Sequence, residues 1–443
     1  MPPLLHMTRL RFALRPILRQ IAALTGGFAL LLLSGCSKLH QVFSLSGPQS
    51  TMVTAGPVAA RQWDLFMITV WVCTFIFIIV GAVLAYAQIK FRAKSEADEH
   101  AAPPAEAGHG NPFVEIGLIA GSVALLVIIA IPTVRDIWYT HDVPEDEKAG
   151  AMDVTATGYQ WWFKFDYPTE IVKLPSGGEA PLSTGNELVV PAGTPVRVQL
   201  RTVDVIHSFW IPKLAGKVDM MPNRANFLWF KADKPGYYYG QCAEYCGESH
   251  AIMKFRVIAL SPADYVKWLD NQKASARTVT VQSLAAEADL PHVKFASFKE
   301  VGPHSTLSGS PEFDADPFTG WKKMQAPEAG ENAQLILTGR KLFQEKTCVS
   351  CHTVRGHEGT GVAGPELTHV GARSSIAARV LENTPERLHQ WIKDPAYFKP
   401  GNKMYHGGYM LLEGDEWKPN PKMKFDDKGE EIDALVAYLH SLK

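Results

Sequence analysis

Two long hydrophobic runs near the beginning of the chain are free of charged residues. They extend from Leu65 to Ala87 and from Ile116 to Val134, and each approaches the ~20 residues that a helix needs to span a bilayer. The pattern predicts two membrane helices, at about 65–87 and 114–134. Lysine and arginine follow the first run and mostly acidic residues follow the second, so the positive-inside bias places the connecting loop in the cytoplasm.

A shorter apolar run, from Ile21 to Leu33, follows an arginine-rich start and precedes small residues. This arrangement predicts a lipoprotein-type signal peptide over residues 1–35, followed by an N-terminal segment and the membrane hairpin over 36–140. Leu33-Ser34-Gly35-Cys36 resembles the bacterial lipobox, which implies acylation of Cys36. An incidental cysteine after an ordinary signal is the alternative.

Over residues 150–270 the hydrophobic pattern changes to short alternating segments. Pro195 to Arg201 alternates apolar and polar positions, as a half-buried strand does. Pro, Gly and Asp separate similar runs, which lie at Glu187 to Val190, Asn226 to Lys231, Gly236 to Gly240 and Lys254 to Ala259. We expect an all-β Greek-key sandwich.

Residues 271–332 have no sustained period and are rich in Ser, Pro, Gly and Ala, which predicts a linker. The aromatic residues of this segment are more apolar than a free tether needs, so we expect it to lie over a partner surface. They are Phe295, Phe298, Phe313, Phe318 and Trp321. A helical pattern returns in the last domain, over 333–443, and ends in a predicted helix from Glu430 to Leu442.

Composition narrows the functional classes. With 46% hydrophobic residues and a net charge of −1, the chain is neither a disordered protein nor a nucleic-acid binder. Six cysteines in 443 residues exclude a dense disulfide framework. Four of them form two close pairs that suit cofactor chemistry, Cys242 with Cys246 and Cys348 with Cys351.

The stretch from Gly240 to Met253 carries soft metal ligands at regular intervals. Cys242 and Cys246 are followed by His250 and Met253, and His207 is a candidate imidazole from a neighbouring strand. Two thiolates can bridge two copper ions and delocalise one electron between them. A disulfide is the alternative for the cysteine pair alone, and structural zinc is disfavoured because methionine is a poor zinc ligand.

This region resembles subunit 2 of the haem–copper cytochrome c oxidases, in which a cupredoxin domain holds the binuclear copper A centre. The resemblance implies five side-chain ligands and one backbone carbonyl, from His207, Cys242, Cys246, His250, Met253 and Glu244. It also implies that the Glu244 carboxylate reaches a magnesium ion shared with subunit 1. In the aromatic segment after Tyr159, Trp161 matches the residue through which electrons enter from cytochrome c.

Two further positions have a family interpretation. The resemblance puts Glu115 near the mouth of a proton pathway, and a simple interfacial anchor is the alternative. Asn223 stands where the family commonly has glycine in a turn. Asparagine is the next most tolerant residue of a positive φ, so we expect the turn to be kept.

Cys348-Val349-Ser350-Cys351-His352 is a C-x-x-C-H motif, which attaches a c-type haem through two thioethers and supplies a proximal iron ligand, His352. The last domain resembles an all-α class I cytochrome c. Pro365 lies in a Gly-Pro loop that resembles the one whose proline carbonyl receives the ligand histidine's N–H. Met404, in a Pro-Gly-Asn-x-Met element, is favoured as the sixth iron ligand, and Met423 is the alternative.

The resemblance covers nearly the whole chain and implies the electron-accepting subunit of a respiratory oxidase. Electrons would pass from cytochrome c or another periplasmic donor to the haem, then to copper A and to haem in subunit 1, where oxygen reduction is coupled to proton pumping. The expected partners are oxidase subunits 1 and 3 and the bacterial inner membrane, with both soluble domains on the periplasmic face. A membrane-anchored copper carrier is the alternative. Quinol-oxidase subunit 2 is disfavoured because all five side-chain copper ligands are present.

Overall fold

The computed structural model describes residues 49–95, 110–280, 317–327 and 331–443. The predicted signal peptide, Cys36 and most of the aromatic residues of the predicted linker lie outside these residues. The described residues form a helical hairpin, a β-sandwich and a helical C-terminal domain, in this order along the sequence.

The hairpin consists of α1 (Pro57–Lys90) and α2 (Pro112–His141). Both helices are long and apolar enough to cross a membrane. They extend beyond the predicted 65–87 and 114–134, because an apolar run marks only the part of a helix that would lie in hydrocarbon.

The extra turns of the hairpin pack against the β-sandwich. Val58 of α1 is buried in the core of the sandwich, and the Trp229 indole donates to the Tyr139 carbonyl of α2 at 2.9 Å. Arg61 and Asp136 join the two helices at this end, with nitrogen and oxygen 3.2 Å apart. The outer ends of both helices are therefore fixed to the sandwich.

The described part of the chain between the hairpin and the predicted linker forms ten strands with one short helix on each side. The elements are α3 (Glu145–Lys148), β1 (Met152–Tyr159), β2 (Trp162–Lys173), β3 (Glu179–Gly185), β4 (Glu187–Pro191), β5 (Val196–Thr202), β6 (His207–Trp210), β7 (Lys217–Met220), β8 (Asn226–Phe230), β9 (Gly236–Cys242), β10 (Lys254–Leu260) and α4 (Pro262–Lys273).

The strands form two five-stranded sheets within the described ranges, ordered β3-β2-β1-β5-β8 and β4-β10-β9-β6-β7. Most neighbours are antiparallel, but β1 pairs in parallel with β5 and β4 with β10. The sandwich is confirmed, and each of the five predicted runs overlaps a strand. Asn223 has a φ of 58°, as expected for the residue that replaces glycine in its turn.

Aromatic rings fill the space between the sheets. Phe163, Phe165, Phe209 and Phe255 are fully buried, and the ring centroids of Phe209 and Phe255 are 4.6 Å apart. Burial of such a side chain contributes about 1.5–3 kcal/mol. Since β9 ends at Cys242, this packed core lies directly beneath the cysteine loop.

Two described parts of the predicted linker pack on folded domains. Residues after α4 run along the C-terminal domain, where the Ala276 N–H donates to the Arg355 carbonyl at 2.8 Å. A further helix, α5 (Pro317–Lys323), buries Trp321 in the core of the sandwich. The surface that these residues cover therefore belongs to the same chain.

The C-terminal domain is helical, as predicted, and two short hairpins are added to the all-α arrangement. Its elements are α6 (Ala333–Glu345), β11 (Ser375–Ile376), β12 (Leu381–Glu382), α7 (Pro385–Lys393), α8 (Pro395–Phe398), β13 (Met410–Glu413), β14 (Glu416–Pro419) and α9 (Glu430–Ser441). The first and last helices cross closely at Gly339, where a Cβ would lie 1.9 Å from the Ala434 carbonyl oxygen. The hairpins escaped prediction because strands of two to four residues are too short to show alternation.

Candidate metal and haem sites

Neighbouring strands β6 and β9 and the loop after β9 bring the predicted soft ligands together. Cys242 Sγ lies 3.7 Å from Cys246 Sγ and 3.9 Å from His207 Nδ1. Cys246 Sγ lies 3.5 Å from His250 Nδ1 and 3.8 Å from Met253 Sδ. All five predicted side-chain copper ligands are therefore in one cluster.

The Glu244 carbonyl completes this cluster, with its oxygen 3.3 Å from Cys242 Sγ. The two cysteines are free thiols, and their sulfur separation is far above the about 2.05 Å of a disulfide. The disulfide alternative is therefore excluded for this arrangement. Both thiols and Met253 are buried, so the donors face one another in the protein interior.

Asp204 holds the ring of His207 in place. His207 Nε2 donates to Asp204 Oδ1 at 2.9 Å, which leaves Nδ1 directed at the cysteines. The backbone N–H groups of Gln160 and Val205 also donate to Asp204, at 2.8 and 2.9 Å. A carboxylate on the second nitrogen is the arrangement that fixes the tautomer and orientation of a metal-ligating histidine.

The charges of the cluster favour a bound cation. Burial alone would raise the pKa of Asp204, but hydrogen bonds from His207 and two backbone N–H groups lower it. Burial would lower the pKa of His207, but Asp204 and Cys242 raise it overall. The hydrogen bond with Cys246 lowers the pKa of Cys242, and the contact with Cys242 raises the pKa of Cys246. Both thiols ionise together only when a cation offsets the second charge.

The donor set fits copper better than zinc. Thiolates, imidazoles and a thioether form the soft combination that copper prefers, and two thiolates can bridge a pair of ions. A structural zinc site usually closes with four nitrogen or sulfur donors and leaves no role for Met253 or the Glu244 carbonyl.

The haem-attachment motif lies beside a large cavity in the C-terminal domain. Cys348 begins a 3₁₀ turn after α6, and Cys351 and His352 follow it. His352 Nδ1 donates to the Pro365 carbonyl at 2.8 Å, as predicted, and this leaves Nε2 available to a metal. Gly364 lies against the imidazole, where a Cβ would be 2.4 Å from Cε1.

The cavity has a volume of about 260 Å³ and includes Cys348, Cys351 and His352 in its wall. The rest of the wall is mostly apolar: α6, α7 and α9 contribute Phe343, Leu388, Ile392, Leu435 and Leu439, and loops of the same domain and the edge of the sandwich contribute most of the other residues. Burial lowers the pKa of His352, so the ring is held in the neutral form that binds metals. The residues present therefore fit a haem attached through both cysteines.

Met404 and Met423 both line this cavity, whereas Met410, in β13, is not part of its wall. Both candidate sixth ligands, Met404 and Met423, therefore lie at the haem site. The choice of Met404 over Met423 as sixth ligand stays a prediction.

Trp161 lies between the two sites. Its indole Nε1 donates to the Cys246 carbonyl at 2.9 Å, and the same residue lines the haem cavity. Only 7% of its surface is exposed, because the C-terminal domain covers the ring: a Cβ on Gly401 would lie 2.9 Å from it. A separate cytochrome c cannot contact this indole in the observed arrangement.

Sequence reasoning missed the residues that join the sandwich to the C-terminal domain. The buried Glu187 carboxylate accepts from the Ser374 N–H at 2.7 Å and from the Trp321 indole at 3.1 Å. No sequence period signals such contacts. Asp204 could have been found, since it is a carboxylate three residues before a predicted ligand, His207, which needs a partner of this kind.

The predicted roles of the Glu115 and Glu244 carboxylates are not tested by the contacts of the copper and haem sites. Glu115 lies in the first turn of α2, where the helix dipole favours a negative charge. The 24 residues from Glu115 to Tyr139 correspond to about 36 Å of helix. In the described ranges the only group of three or more His, Cys, Asp and Glu residues whose ligand atoms all lie within 4.8 Å of one another is His207, Cys242 and Cys246, so the Glu244 carboxylate is in no such group. A proton role for Glu115 and a magnesium role for Glu244 stay predictions.

A membrane hairpin, a sandwich with a soft-metal cluster and a domain with a haem-attachment motif define a membrane-anchored electron-transfer protein. Comparison with known proteins agrees with this class. Residues 152–260 match the family described as cytochrome c oxidase subunit II, periplasmic domain, and residues 336–443 match the cytochrome c family. The chain belongs to the cytochrome c oxidase subunit 2 family, in the form that carries a cytochrome c domain.

Curated relatives match along almost the whole chain. Cytochrome c oxidase subunit 2 of Alkalihalophilus pseudofirmus is 31% identical over 419 residues, which cover 94% of this chain and 95% of the relative. The Bacillus subtilis protein of the same name is 29% identical over 427 residues, covering 93% and 95%. The solved periplasmic domain of cytochrome oxidase subunit II from Bradyrhizobium japonicum is 34% identical, covers 28% of this chain and 93% of that chain, and has a TM-score of 0.24. The predicted family is confirmed, and the chain is a subunit of a haem–copper oxidoreductase with domains that hold copper and haem.

Proposed function

We propose that this subunit carries electrons from an external donor to the oxygen-reducing subunit of a cytochrome c oxidase. In this proposal a haem c attached at Cys348 and Cys351 supplies the first redox centre and a binuclear copper A centre the second. Haem in subunit 1 then receives the electrons, and oxygen is reduced to water with proton pumping. Cytochrome c or another periplasmic protein is the proposed donor.

The position of Trp161 carries this proposal. The Trp161 indole N–H donates a hydrogen bond to the Cys246 carbonyl in the copper loop. The same residue is part of the wall of the haem cavity. A single aromatic side chain thus joins the two predicted redox centres. Ser249 adds a second short link, since its hydroxyl donates to the Pro400 carbonyl at 2.6 Å.

The fixed surroundings of both sites also support electron transfer. The copper donors lie over a core of packed aromatic rings, and the haem histidine is held by the Pro365 carbonyl. Donors that do not move on a change of charge keep the reorganisation small. A copper carrier needs to release its metal, whereas Met253 is fully buried and Cys242 and Cys246 nearly so. The carrier alternative is therefore not favoured.

The quinol-oxidase alternative is disfavoured because it leaves the metal and haem sites of this chain without a function. Quinol oxidase subunit 2 of Bacillus cereus is 31% identical over 262 residues, which cover 59% of this chain. The copper cluster and the haem cavity have no use in direct oxidation of a quinol by subunit 1. We retain cytochrome c oxidase activity as the proposed function.

The test follows one electron from the haem to copper in the purified oxidase complex. Trp161→Phe removes the hydrogen bond to Cys246 and should slow copper reduction at least several-fold, while reduction of the haem by the external donor stays at the wild-type rate. Trp162→Phe is the matched control, because its ring stacks on Tyr159 and its indole makes no hydrogen bond to the cysteine loop. Equal haem-to-copper rates in all three proteins would contradict the proposed path.

We further propose that the protein lies in the bacterial inner membrane, beside subunits 1 and 3, with the sandwich and the C-terminal domain on the periplasmic side. The attachment of both outer helix ends to the sandwich supports this orientation. Glu115 would then face the cytoplasmic side, and the Glu244 carboxylate would meet magnesium at subunit 1.

Mass spectrometry of the mature N-terminus tests the lipid on Cys36, and an unmodified start downstream of it would remove the lipobox assignment.

A further inference from the structure

The wall of the haem cavity has an unbalanced charge. Three cationic side chains, Arg373, Lys399 and Lys403, belong to the wall, and no aspartate or glutamate among the described residues does. Lys403 is balanced from outside by Asp204, with Nζ and Oδ2 3.2 Å apart. Arg373 interacts with the buried carboxylates of Glu366 and Glu187. Lys399 is the remaining cation.

Lys399 is a buried lysine without a carboxylate partner in the described part of the chain. Only 4% of its surface is exposed, and its ammonium donates to the carbonyls of Trp161 and Ala377. An ammonium has three N–H donors, so one donor has no acceptor among the described residues. Burial lowers its pKa to about 7, which reflects the cost of holding this charge away from water.

The Cys246 thiolate attracts this ammonium, but it belongs to the predicted copper cluster and makes no hydrogen bond to Lys399 among the described residues, so the third N–H still lacks an anionic acceptor. The group that the cavity fits carries two propionate carboxylates in addition to the two positions that form thioethers. The thioethers are committed to Cys348 and Cys351, whereas nothing in the motif provides for the propionates. Pairing with a carboxylate would offset the desolvation of the ammonium and satisfy its third donor.

We propose that Lys399 binds a haem propionate and thereby fixes the propionate edge of the haem against the copper domain. This inference rests on the proposed function, because it requires a haem c in the cavity. Lys399 acts as a positioning residue: one ammonium holds the propionate on one side and the Trp161 carbonyl on the other. The side chain that orients the haem is thus bonded to the residue proposed to pass its electrons on.

The test uses the full chain in its oxidase complex, with haem labelled by carbon-13 at the propionate carboxylates. Lys399→Met keeps the length of the side chain and removes the charge, while Lys399→Arg keeps the charge. Lys418→Met is the matched control, since this lysine is exposed on β14 and lies outside the cavity wall. Infrared difference spectra between oxidised and reduced protein report the labelled carboxylates, and a redox titration reports the haem potential.

We expect Lys399→Met to shift the labelled carboxylate bands and to lower the haem potential, because a cation beside the propionate is lost. Lys399→Arg should shift the bands with a smaller change in potential, and Lys418→Met should match the wild type. Unshifted bands in Lys399→Met, even with weaker domain contact, would overturn the inference and leave the lysine a structural role. If that variant does not accumulate, unshifted bands in Lys399→Arg would overturn it equally.

Different results would exclude the proposed function and the role of Lys399. Wild-type protein without thioether-linked haem in a pyridine haemochrome assay would remove the proposed function and this inference together. If the haem is attached and reduces copper, but the propionate bands are the same in the wild type and the Lys399 variants, only this inference would be excluded.

Discussion

The predicted copper ligands are held by contacts of different chemical types. Cys246 has the most demanding position, because its sulfur lies within 3.8 Å of the sulfurs of both Cys242 and Met253 and its carbonyl accepts from Trp161. His207 depends instead on Asp204, which sets the direction of its ring. Cys246 and His207 are therefore each also held by a neighbour that is not a predicted metal ligand, Trp161 and Asp204 respectively.

Cys246→Ser should leave at most one copper ion, because a hydroxyl is a much poorer soft-metal ligand than a thiolate. Electron flow to oxygen should nearly stop, while the haem is still reduced by the donor. Cys73→Ser, the same change at an exposed position in α1, is the control. Metal analysis with two coppers and normal oxygen consumption in Cys246→Ser would contradict the assignment of a binuclear centre.

Met404→Leu should abolish the iron–sulfur charge-transfer band of the oxidised haem and lower the haem potential, because a thioether ligand is lost. The thioether links at Cys348 and Cys351 should remain. Met423→Leu is the paired variant and should cause only a packing change of less than about 1.5 kcal/mol. Loss of the band in Met423→Leu alone would reverse the assignment.

Residue types with special chemistry were predictable from the sequence, whereas their supporting neighbours mostly were not. Soft ligands at fixed spacing identified Cys242 to Met253, since few other arrangements use those side chains together. Lys399 had no such signal, because a lysine is ordinarily exposed and only the tertiary structure buries this one.

At the level of elements, α5 joins the sandwich to the C-terminal domain. Its Trp321 is buried in the sandwich core and donates to Glu187, and the other oxygen of this carboxylate accepts from Ser374. Tyr237, on β9, reinforces the junction through its hydroxyl, which lies 2.7 Å from that of Ser374. The two domains are thus held together by the buried Glu187 carboxylate at the start of β4 and by Trp321, which donates to it.

Trp321→Ala should weaken this junction by about 3–5 kcal/mol, because it leaves a cavity and removes a donor from a buried carboxylate. Trp417→Ala, on the exposed hairpin of β13 and β14, is the control and should change stability by less than about 0.5 kcal/mol. Thermal unfolding of the purified protein measures both changes. Equal melting temperatures for the two variants would show that α5 does not hold the domains together.

Elements with a strong period were predictable, and elements defined by partners were not. The alternation of Pro195 to Arg201 identified β5, observed at Val196–Thr202, and the apolar spacing of Glu430 to Leu442 identified α9, observed at Glu430–Ser441. The parallel pairing of β1 with β5 leaves no trace in either sequence, because alternation reports which face is buried and not which strand is adjacent. The seven residues of α5 are helical only where the two domains meet.

In the whole molecule, the two predicted redox sites lie on either side of the buried interface between the sandwich and the C-terminal domain. Lys403 and Asp204 pair at this boundary, and the Lys254 N–H donates to the Ala378 carbonyl at 3.3 Å. Arg379 lies over the Tyr239 ring, 3.7 Å from its centroid. The boundary therefore combines charge pairs, backbone bonds and stacking.

Salt should affect the two electron-transfer steps differently. Reduction of the haem by a soluble cytochrome c should change with ionic strength, because salt screens the charge interactions between separate proteins. Reduction of copper by the haem should keep its rate, because the domains are already in contact. Stopped-flow absorbance of the two centres in the same experiment separates the steps, and parallel changes in both would indicate that the domains separate in solution.

Trp161 lies beneath the cytochrome domain of the same chain, so a mobile carrier cannot reach this indole. In the proposed electron path, a first-order step within the chain would replace a second-order collision at copper, and its rate would not depend on how much carrier is present. Scarcity of the soluble donor would then limit only how often the haem is reduced again. On the proposed path, the oxidase would keep one of its substrates, a cytochrome c, permanently bound.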